Sequence, residues 1–354
     1  MGRIVELRSD TFTLPTESMR RAMAAAELGD DVWDEDPTIH RLQERAAAMV
    51  GKEASLFVPS GTMGNLCALL SHTQPGDEVI VEVDAHIFQH EVASAAVVGG
   101  LQLRPLESVA GRLDPEQVGR VIREPDIHEP RTTLLCIENT HNLKGGTCLS
   151  PRQTAALSEL AHRRGLKVHL DGARVFNAAI AQSVDVRELT APVDSVMFCL
   201  SKGLSAPVGS MLAGEADFIE RARRKRKMLG GGMRQAGVLA AAGLCALDEM
   251  VGRLADDHRN ARRLAEGLQG LPDLDIDLSR VESNMIFGEC RPPLTAGAFM
   301  ERCRTEGVLF GLASPQRWRM VTHRGVTADD VDYAIAAVSR VLGTTATVRL
   351  QATG

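Results

Sequence analysis

Aromatic side chains are scarce in this sequence, and their scarcity bears on the class of partner. Phe, Trp and Tyr make up 3% of the 354 residues, with two Trp and one Tyr. A surface on which nucleic-acid bases stack needs exposed aromatic rings. The formal net charge of −6 also gives no general attraction to phosphate backbones or anionic lipids. We therefore expect no nucleic-acid partner.

Long apolar runs and paired cysteines are also missing. No uncharged apolar stretch approaches the roughly 20 residues that a membrane-spanning helix needs. The N-terminal sequence MGRIVELRSD is charged from its third residue, unlike a signal peptide. The seven cysteines are scattered without a CxxC pair, which argues against a zinc cluster or a disulfide framework. The sequence thus predicts a cytoplasmic protein without a membrane partner.

What the sequence does contain is an alternation of short apolar runs and amphipathic helices. One helix is predicted over 150–165, with Ser150 as its N-cap and Gly165 as its stop. Strands separated by such helices indicate an α/β fold with a mostly parallel sheet. The predicted strands are 77–85, 132–140, 166–170 and 195–202.

The length of the chain suffices for roughly two domains. A long apolar helix predicted over 235–251 would close a large domain, so that residues 1–252 comprise an N-terminal segment and this domain. Residues 253–354 would form a smaller α+β domain. Its last helix is predicted to begin after Thr327, a typical N-cap residue.

Three polar residues lie at or just past the carboxyl ends of predicted strands: Asn139, Asp171 and Lys202. Ligands of such sheets bind at the carboxyl ends of the strands, so these residues are candidates for a site. Lys202 ends an apolar run between Ser201 and Gly203, a setting that a solvated lysine does not need. A lysine can form an imine with a substrate ketone or with an aldehyde cofactor. A plain surface lysine at a strand end is the alternative.

The stretch PSGTMGN, residues 59–65, joins a predicted strand to a predicted helix. Such a turn points backbone N–H groups and the positive end of the helix dipole at one place, where a phosphate can bind. Gly61 permits a close approach and the Thr62 hydroxyl can donate a hydrogen bond. The stretch has neither Walker spacing nor GxGxxG, so nucleotide binding is not favoured. An ordinary turn without a ligand remains the alternative.

The stretch HLDGAR, residues 169–174, contains an acidic and a basic residue at the end of another predicted strand. Asp171 could keep a pyridine nitrogen protonated, which makes the ring an electron sink. Arg174 could pair with a carboxylate or with an oxygen anion. The alternative is a helix-capping aspartate with a surface arginine.

An imine-forming lysine, a phosphate cradle and an acid for a ring nitrogen are together what pyridoxal 5'-phosphate requires. The chain resembles the low-specificity L-threonine aldolases, fold-type-I pyridoxal-phosphate enzymes of the β-eliminating lyase group, over nearly its whole length. The motifs that carry the resemblance occur in order, and they are LRSDT (7–11), GDDVWDEDPT (29–38), PSGTMGN (59–65), HLDGAR (169–174), LSKGLSAPVGS (200–210), GGGMRQ (230–235) and MVTH (320–323).

The resemblance implies a function and an assembly. The implied reaction is the retro-aldol cleavage of L-threonine or L-allo-threonine to glycine and acetaldehyde, with activity on other β-hydroxy-α-amino acids. The implied cofactor is pyridoxal 5'-phosphate. The implied assembly is a homotetramer built from two tight dimers, with sites at the subunit interfaces.

The resemblance also implies roles for individual residues. Lys202 matches the Schiff-base lysine and Asp171 the partner of the pyridine nitrogen. His86 matches a histidine stacked on the cofactor ring, and His128 a second histidine near the substrate hydroxyl. The remaining matches are Gly61 and Thr62 for the phosphate, Lys227 and Arg234 for the phosphate region, and Ser9, Arg174 and Arg319 for the substrate carboxylate or the ring oxygen. His86, His128 and a water molecule all stay open as the general base.

Two positions depart from the family pattern. His90 stands where many relatives carry an aromatic residue. The stretch PQRWRMVTH, residues 315–323, is one residue longer than in familiar relatives, so Arg319 is matched in preference to Arg317.

Two further patterns are interpreted without a specific function. His86 and His90 would share a helix face, as metal ligands can, but Glu91 follows the pair instead of lying within it as in HExxH. With no third ligand evident, no metal is expected. The basic run RARRKRK, residues 221–227, is interpreted as a solvated helix face in an acidic chain, with Lys227 as the exception.

Other functions remain open from the sequence. Another pyridoxal-phosphate reaction, such as β-elimination or racemisation, would use the same scaffold. A cofactor-binding regulatory protein without turnover would not need the complete set of lysine, aspartate and histidine. An aldolase that uses a lysine without a cofactor would not need the phosphate cradle.

Overall fold

The computed structural model describes residues 3–343, which divide into two compact units. The larger unit spans Leu14–Gly252. The smaller unit combines the segment up to Thr13 with the chain from Arg253 onwards. The division expected from the sequence kept the N-terminal segment with the large domain. The first residues lie instead in the smaller unit, because Val5 and Glu6 pair in parallel with Val308 and Leu309. Residues 1, 2 and 344–354 of the expected domains lie outside the described residues.

Strands and helices alternate along most of the described chain. The strands are β1 (Val5–Glu6), β2 (Ala54–Val58), β3 (Glu78–Glu82), β4 (Gln102–Leu106), β5 (Thr132–Glu138), β6 (Lys167–Asp171), β7 (Ser195–Cys199), β8 (Ser210–Gly214), β9 (Leu274–Asp275), β10 (Met285–Cys290), β11 (Val308–Leu309), β12 (Gly311–Leu312) and β13 (Arg317–Val321). The helices are α1 (Glu17–Ala24), α2 (Pro37–Val50), α3 (Gly61–His72), α4 (His86–Gln89), α5 (Ser94–Val97), α6 (Pro115–Val121), α7 (Pro151–Arg163), α8 (Val175–Gln182), α9 (Val186–Thr190), α10 (Ala216–Met228), α11 (Gly237–Glu249), α12 (Leu254–Leu268), α13 (Ala296–Thr305) and α14 (Ala328–Val341).

The larger unit is built on one seven-stranded sheet. Its strand order is β2-β8-β7-β6-β5-β3-β4. Strand β8 runs antiparallel to its neighbours β2 and β7, and the other pairs are parallel. Every residue of β3, β7 and β8 is buried, as expected for a sheet covered by helices on both faces. The predicted α/β fold with a mostly parallel sheet is confirmed.

Helix starts follow the capping residues in the sequence. Helix α7 begins after Ser150, whose hydroxyl accepts from the Gln153 N–H, and the Gln153 side chain accepts in return from the Ser150 N–H. This capping box satisfies two backbone donors that would otherwise lack partners. Thr327 forms the same reciprocal arrangement at the start of α14. Both predicted caps are confirmed.

Two predicted strands end at different residues in the structure. As a result, two candidate residues lie at other positions relative to the strand ends than expected. Asp171 is the last residue of β6, whereas it was expected just after the strand. Strand β7 ends at Cys199, so Lys202 lies in the following turn. The carboxyl ends of β6 and β7 are adjacent because Asp171 pairs with Met197.

The smaller unit has a four-stranded antiparallel sheet, in the order β12-β13-β10-β9. Its core contains three aromatic rings, Phe299, Phe310 and Trp318, whose centroids lie 5.0 to 6.1 Å apart. Helices α12 and α14 contribute apolar residues to the same core. Within residues 3–343, none of the helices combines the length and apolar character needed to cross a membrane.

Candidate active site

Asp171 lies at the carboxyl end of β6, at the centre of the large sheet. Its side chain is 2% exposed. Asp171 Oδ2 accepts a hydrogen bond from Asn65 Nδ2 at 2.8 Å, and Oδ1 accepts from the Ala173 N–H at 3.1 Å. The carboxylate is therefore held in place on both oxygens at the carboxyl end of β6.

His86 begins α4, and two carboxylates hold it from two sides. Its backbone N–H donates to Glu138 Oε2 at 2.7 Å, and its ring Nδ1 lies 2.9 Å from Glu91 Oε1. Burial alone would lower the pKa of His86, but the hydrogen bond to Glu91 and the charge of Asp171 outweigh burial, so the pKa is raised. The His86 side chain is still 29% exposed, so the ring borders an open space.

Lys202 lies in the turn after β7 and shares this site with His86. The charge of Lys202 acts to lower the pKa of His86, while the charge of Asp171 acts to raise it. His86 and Asp171 have side-chain atoms within 4.8 Å of each other, and Lys202 lies close enough for its charge to act on His86. The lysine side chain is half-buried, and the turn is closed by the Ser205 N–H donating to the Lys202 carbonyl at 2.9 Å. Three of the predicted residues therefore lie together.

The predicted phosphate cradle is the first turn of α3, which starts at Gly61. Ser60 caps the helix, because its hydroxyl accepts from the Met63 N–H. A Cβ atom at Gly61 would lie 3.1 Å from Cys199 Sγ, so the glycine lets this turn pack against the end of β7, three residues before Lys202. Gly61 and Thr62 are part-exposed at the positive end of a 12-residue helix. The local geometry fits an anion.

Arg174 follows β6 and is buried to 5% exposure. Its Nη1 donates to Asn142 Oδ1 at 3.4 Å. The Asn142 N–H in turn donates to Glu138 Oε1 at 2.8 Å. Glu138 thus holds the backbone of His86 directly and the guanidinium of Arg174 through Asn142. The arginine is not the surface residue that the alternative interpretation required.

Other predicted residues have different surroundings. His128 has a side chain that is 82% exposed and pairs with Asp126 in its own loop, at 3.0 Å. Lys227 is exposed at the end of α10. Arg234 is exposed and pairs with Asp30 at 3.0 Å. Ser9 and Arg319 belong to the smaller unit, where Ser9 accepts from the Thr11 N–H and Arg319 lies on β13 opposite Phe287.

The basic run on α10 is exposed or part-exposed except at Ala222 and Arg226, and the sequence did not reveal the burial of Arg226. Arg226 is 2% exposed. Its Nη2 lies 2.8 Å from Asp31 Oδ2, and its Nη1 donates to the Phe57 carbonyl at 2.8 Å. The interpretation of the whole run as solvated is wrong at this position, because Asp31 in GDDVWDEDPT supplies a buried counter-charge.

Three polar residues of the site were missed by sequence reasoning: Asn65, Glu91 and Glu138. Each lies close to a motif that was singled out, at the end of PSGTMGN, directly after His90, and directly before Asn139. Their function depends on which strand ends become neighbours, and spacing along the chain does not reveal that.

His86, Glu91 and Asp171 also form the one group among the described residues whose ligand atoms lie within 4.8 Å of one another, as a metal site requires. The structure brings His86 together with Glu91 and Asp171, and His90 is not part of this group. Asn65 Nδ2 lies 2.8 Å from an oxygen of each carboxylate. Its N–H groups occupy lone pairs that a cation would need. The donor set therefore fits a hydrogen-bonded cluster better than a metal centre.

Residues 6–290 match the β-eliminating lyase family. This match covers most of the chain, and the chain belongs to that family. It is 45% identical to low-specificity L-threonine aldolase 1 of Arabidopsis thaliana over 346 residues, which are 96% of this chain and 97% of the relative. It is also 45% identical to the low specificity L-threonine aldolase of Escherichia coli K12 over 329 residues, which are 93% of this chain and 96% of the relative.

A solved structure with the same fold is the threonine aldolase of Leishmania major. It matches with a TM-score of 0.83 at 18% identity, covering 95% of this chain and 98% of the other. At this identity the similarity concerns the fold alone. The expected fold class and the resemblance to low-specificity L-threonine aldolases are confirmed.

Proposed function

We propose that this chain is a pyridoxal-phosphate-dependent lyase that cleaves L-threonine and L-allo-threonine to glycine and acetaldehyde. We extend the proposal to other β-hydroxy-α-amino acids. The observation that carries it is the meeting of Lys202, Asp171 and His86 at the carboxyl edge of the sheet. The names of relatives that are 45% identical over nearly the whole chain supply the substrate.

The residues of the site fit pyridoxal 5'-phosphate. Asp171 is a buried acid with both oxygens already oriented, which suits a contact with a protonated ring nitrogen. The first turn of α3, with Gly61 and Thr62, suits the phosphate. Lys202 would bind the aldehyde carbon covalently, and His86 would stack on the ring. Lys227 and Arg234 keep the phosphate-region role that the family resemblance gives them.

The bound cofactor would accept the electron pair of the breaking Cα–Cβ bond. The chain's own residues would orient the substrate and stabilise the charge that develops. Asp171 would hold the ring nitrogen in its protonated form and so stabilise the developing charge. Arg174 would grip the substrate carboxylate, which orients the bond that breaks. Ser9 and Arg319 have the same predicted role from the resemblance.

Cleavage also requires a group that removes the proton of the β-hydroxyl. His86 Nε2 is one candidate, because the ring is part-exposed and its Nδ1 is engaged by Glu91. His128 and a water molecule remain the other two. A base must come within hydrogen-bond reach of the hydroxyl. In this chain His128 pairs with Asp126 on an exposed loop, so its predicted role depends on the proposed assembly.

We further propose a cytoplasmic homotetramer of two tight dimers with sites at subunit interfaces. Exposed apolar side chains in the larger unit support an interface, among them Trp33 at 73% and Met228 at 62% exposure. Lys227 and His128 are exposed as well, as residues that reach a neighbouring subunit would be.

Product analysis tests the proposed reaction. Purified protein with pyridoxal 5'-phosphate is incubated with L-threonine, L-allo-threonine and D-threonine, and products are quantified by chromatography. We expect glycine and acetaldehyde in equal amounts from the L-substrates. Ammonia with 2-oxobutanoate would indicate elimination, inverted threonine would indicate racemisation, and no turnover of any substrate would refute the proposed function.

A further inference from the structure

Buried hydrogen bonds connect His86 to Asp171 through two side chains to which the proposed function gives no role. These are Glu91, which is 1% exposed, and Asn65, which is fully buried. Asn65 Nδ2 lies 2.8 Å from Glu91 Oε1 and 2.8 Å from Asp171 Oδ2. His86 Nδ1 lies 2.9 Å from the same Glu91 oxygen. A single amide nitrogen thus donates its two hydrogens to two carboxylates.

The orientation of the Asn65 amide is set at its other end. Asn65 Oδ1 lies 3.1 Å from His169 Nε2, and His169 Nδ1 lies 2.9 Å from Ser195 Oγ. Burial lowers the pKa of His169 to about 4, so the ring is neutral near pH 7 and donates from one nitrogen only. If Nε2–H donates to Asn65, Nδ1 accepts from the Ser195 hydroxyl. Asn65 Oδ1 and both ring nitrogens of His169 then have hydrogen-bond partners, and the two Asn65 N–H groups are left to the carboxylates.

The orientation of the Asn65 amide also determines which kind of hydrogen bond Glu91 can form with His86. Glu91 Oε1 already accepts a hydrogen from Asn65, and the neighbouring ring nitrogen needs a partner. As a carboxylate, Glu91 can accept a second hydrogen at that oxygen. His86 then carries its Nδ1 hydrogen toward Glu91. The hydrogen bond of one ring nitrogen decides the state of the other, so Nε2 becomes the nitrogen without a hydrogen.

We propose that Glu91 and Asn65 are positioning residues that hold His86 with Nδ1–H directed at Glu91, and so leave Nε2 as the ring nitrogen that exchanges protons in the active site. The proposal rests on the proposed function insofar as the exchanged proton is that of the substrate. Neither Glu91 nor Asn65 touches the reacting atoms in this account. They act through His86 and, by way of the shared amide, they tie its orientation to that of Asp171.

The charged and titratable groups that face His86 agree with this assignment. They are Glu91, Asp171, Lys202 and Glu138, whose Oε2 accepts from the His86 N–H, with the ring of His90 at a centroid distance of 5.5 Å. Three carboxyl groups oppose one ammonium group, which favours the protonated ring. The hydrogen bond to Glu91 is the largest of the influences that raise the pKa of His86 above the lowering effect of burial.

Nitrogen-15 NMR of histidine-labelled protein tests the assignment without relying on turnover. The His86 signals are identified by their loss in His86→Gln. In wild type we expect neutral His86 with its hydrogen on Nδ1. In Glu91→Leu we expect the hydrogen on Nε2. In Glu91→Gln, which keeps the shape but removes the charge, the His86 titration midpoint should fall by about one pH unit or more.

Glu107→Gln is the matched control, because Glu107 is exposed and the change in formal charge is the same. Its His86 titration should equal that of wild type. Neutral His86 with its hydrogen on Nε2 in wild type would overturn the proposal. So would a Glu91→Gln titration equal to that of wild type. If Glu91→Leu fails to fold, the wild-type spectrum and the Gln variant decide alone.

Kinetics provide a second readout that separates positioning from a merely structural role. Glu91→Leu should lower kcat for L-threonine by about 10- to 100-fold, part of the roughly 10²- to 10⁴-fold contribution of a positioned base, with a smaller change in KM. In Glu91→Gln the acidic limb of the kcat/KM profile should move to lower pH. A wild type that does not cleave threonine would refute the proposed function, while the NMR result would still decide the positioning.

Discussion

Asp171 is the residue whose environment most clearly suits one partner. Its two oxygens are fixed by Asn65 and by the Ala173 backbone, and its side chain is 2% exposed. A buried carboxylate of this kind is costly unless a positive group compensates it. A protonated ring nitrogen would do so.

Replacing Asp171 with Ala should therefore preserve some cofactor binding and remove most of the rate. The phosphate contacts and Lys202 would remain, but the contact that stabilises charge on the ring would be lost. Such a contact is worth a few kcal/mol, roughly a hundredfold or more in kcat. Steady-state kinetics with saturating cofactor measures this, and an unchanged kcat would mean that another group serves the ring nitrogen.

The two predicted histidines differ in environment, and we expect their variants to differ as well. His86 is held between Glu91 and Glu138 beside Lys202, whereas His128 is exposed. His86→Ala should lower kcat/KM for L-threonine and for L-allo-threonine alike. His128→Phe should instead alter the ratio of the two values. Measuring both substrates on both variants decides this, and an unaltered ratio in His128→Phe would remove His128 from substrate recognition.

At the scale of elements, helix starts are where the sequence was most informative. Ser150 and Gln153 form a local capping box at α7, and nothing distant is needed to produce it. Ser150→Ala should lower the free energy of unfolding by about 1 kcal/mol. Ser150→Thr, which keeps a capping hydroxyl, should lose much less. Denaturant unfolding compares the three proteins, and equal losses in the two variants would contradict the capping role.

The predictions that succeeded rest on local chemistry or on motif order. Short apolar runs identified β3, β5, β6 and β7, and the position of Lys202 and Asp171 after or at strand ends followed from them. The turn between β2 and α3 followed from the strand–turn–helix pattern around PSGTMGN. These features depend on neighbours within a few residues.

The features that were missed depend on distant parts of the chain. Asn65 bridges Glu91 and Asp171 only because α3, the segment after α4 and β6 meet at one edge of the sheet. Arg226 is buried because Asp31, almost two hundred residues earlier, pairs with it. The N-terminal segment joins the smaller unit through pairing of Val5 with Val308. No spacing in the sequence signals such contacts.

At the scale of the whole molecule, buried ionic groups make stability depend on pH. Glu82 at the end of β3 is 2% exposed, and burial alone would raise its pKa. Hydrogen bonds from His141 and Ser108 outweigh burial and lower the pKa of Glu82 to about 2. The lowered pKa means that ionised Glu82 stabilises the folded state above its unfolded pKa of about 4.3.

Glu82→Gln should therefore reduce the free energy of unfolding. This deficit relative to wild type should shrink as the pH falls from about 4.3 toward 2. Burial by itself would lower the pKa of His141, but Glu138 and Glu82 raise it, so protonated His141 also stabilises the pair until the pH rises through that raised value. The deficit should be largest at about pH 5 to 6. Urea unfolding across this range, with Glu107→Gln as control, measures it, and a deficit independent of pH would contradict the ionic account.

The central claim is that one site at the carboxyl edge of the large sheet performs the chemistry through Lys202. Reduction of the holoenzyme with borohydride, followed by mass mapping of its peptides, tests this directly, since it fixes the cofactor to the lysine that holds it. We predict a single pyridoxyl adduct on Lys202 and its loss, together with turnover, in Lys202→Ala. An adduct on any other lysine, or a Lys202→Ala protein that still cleaves L-threonine, would contradict the account.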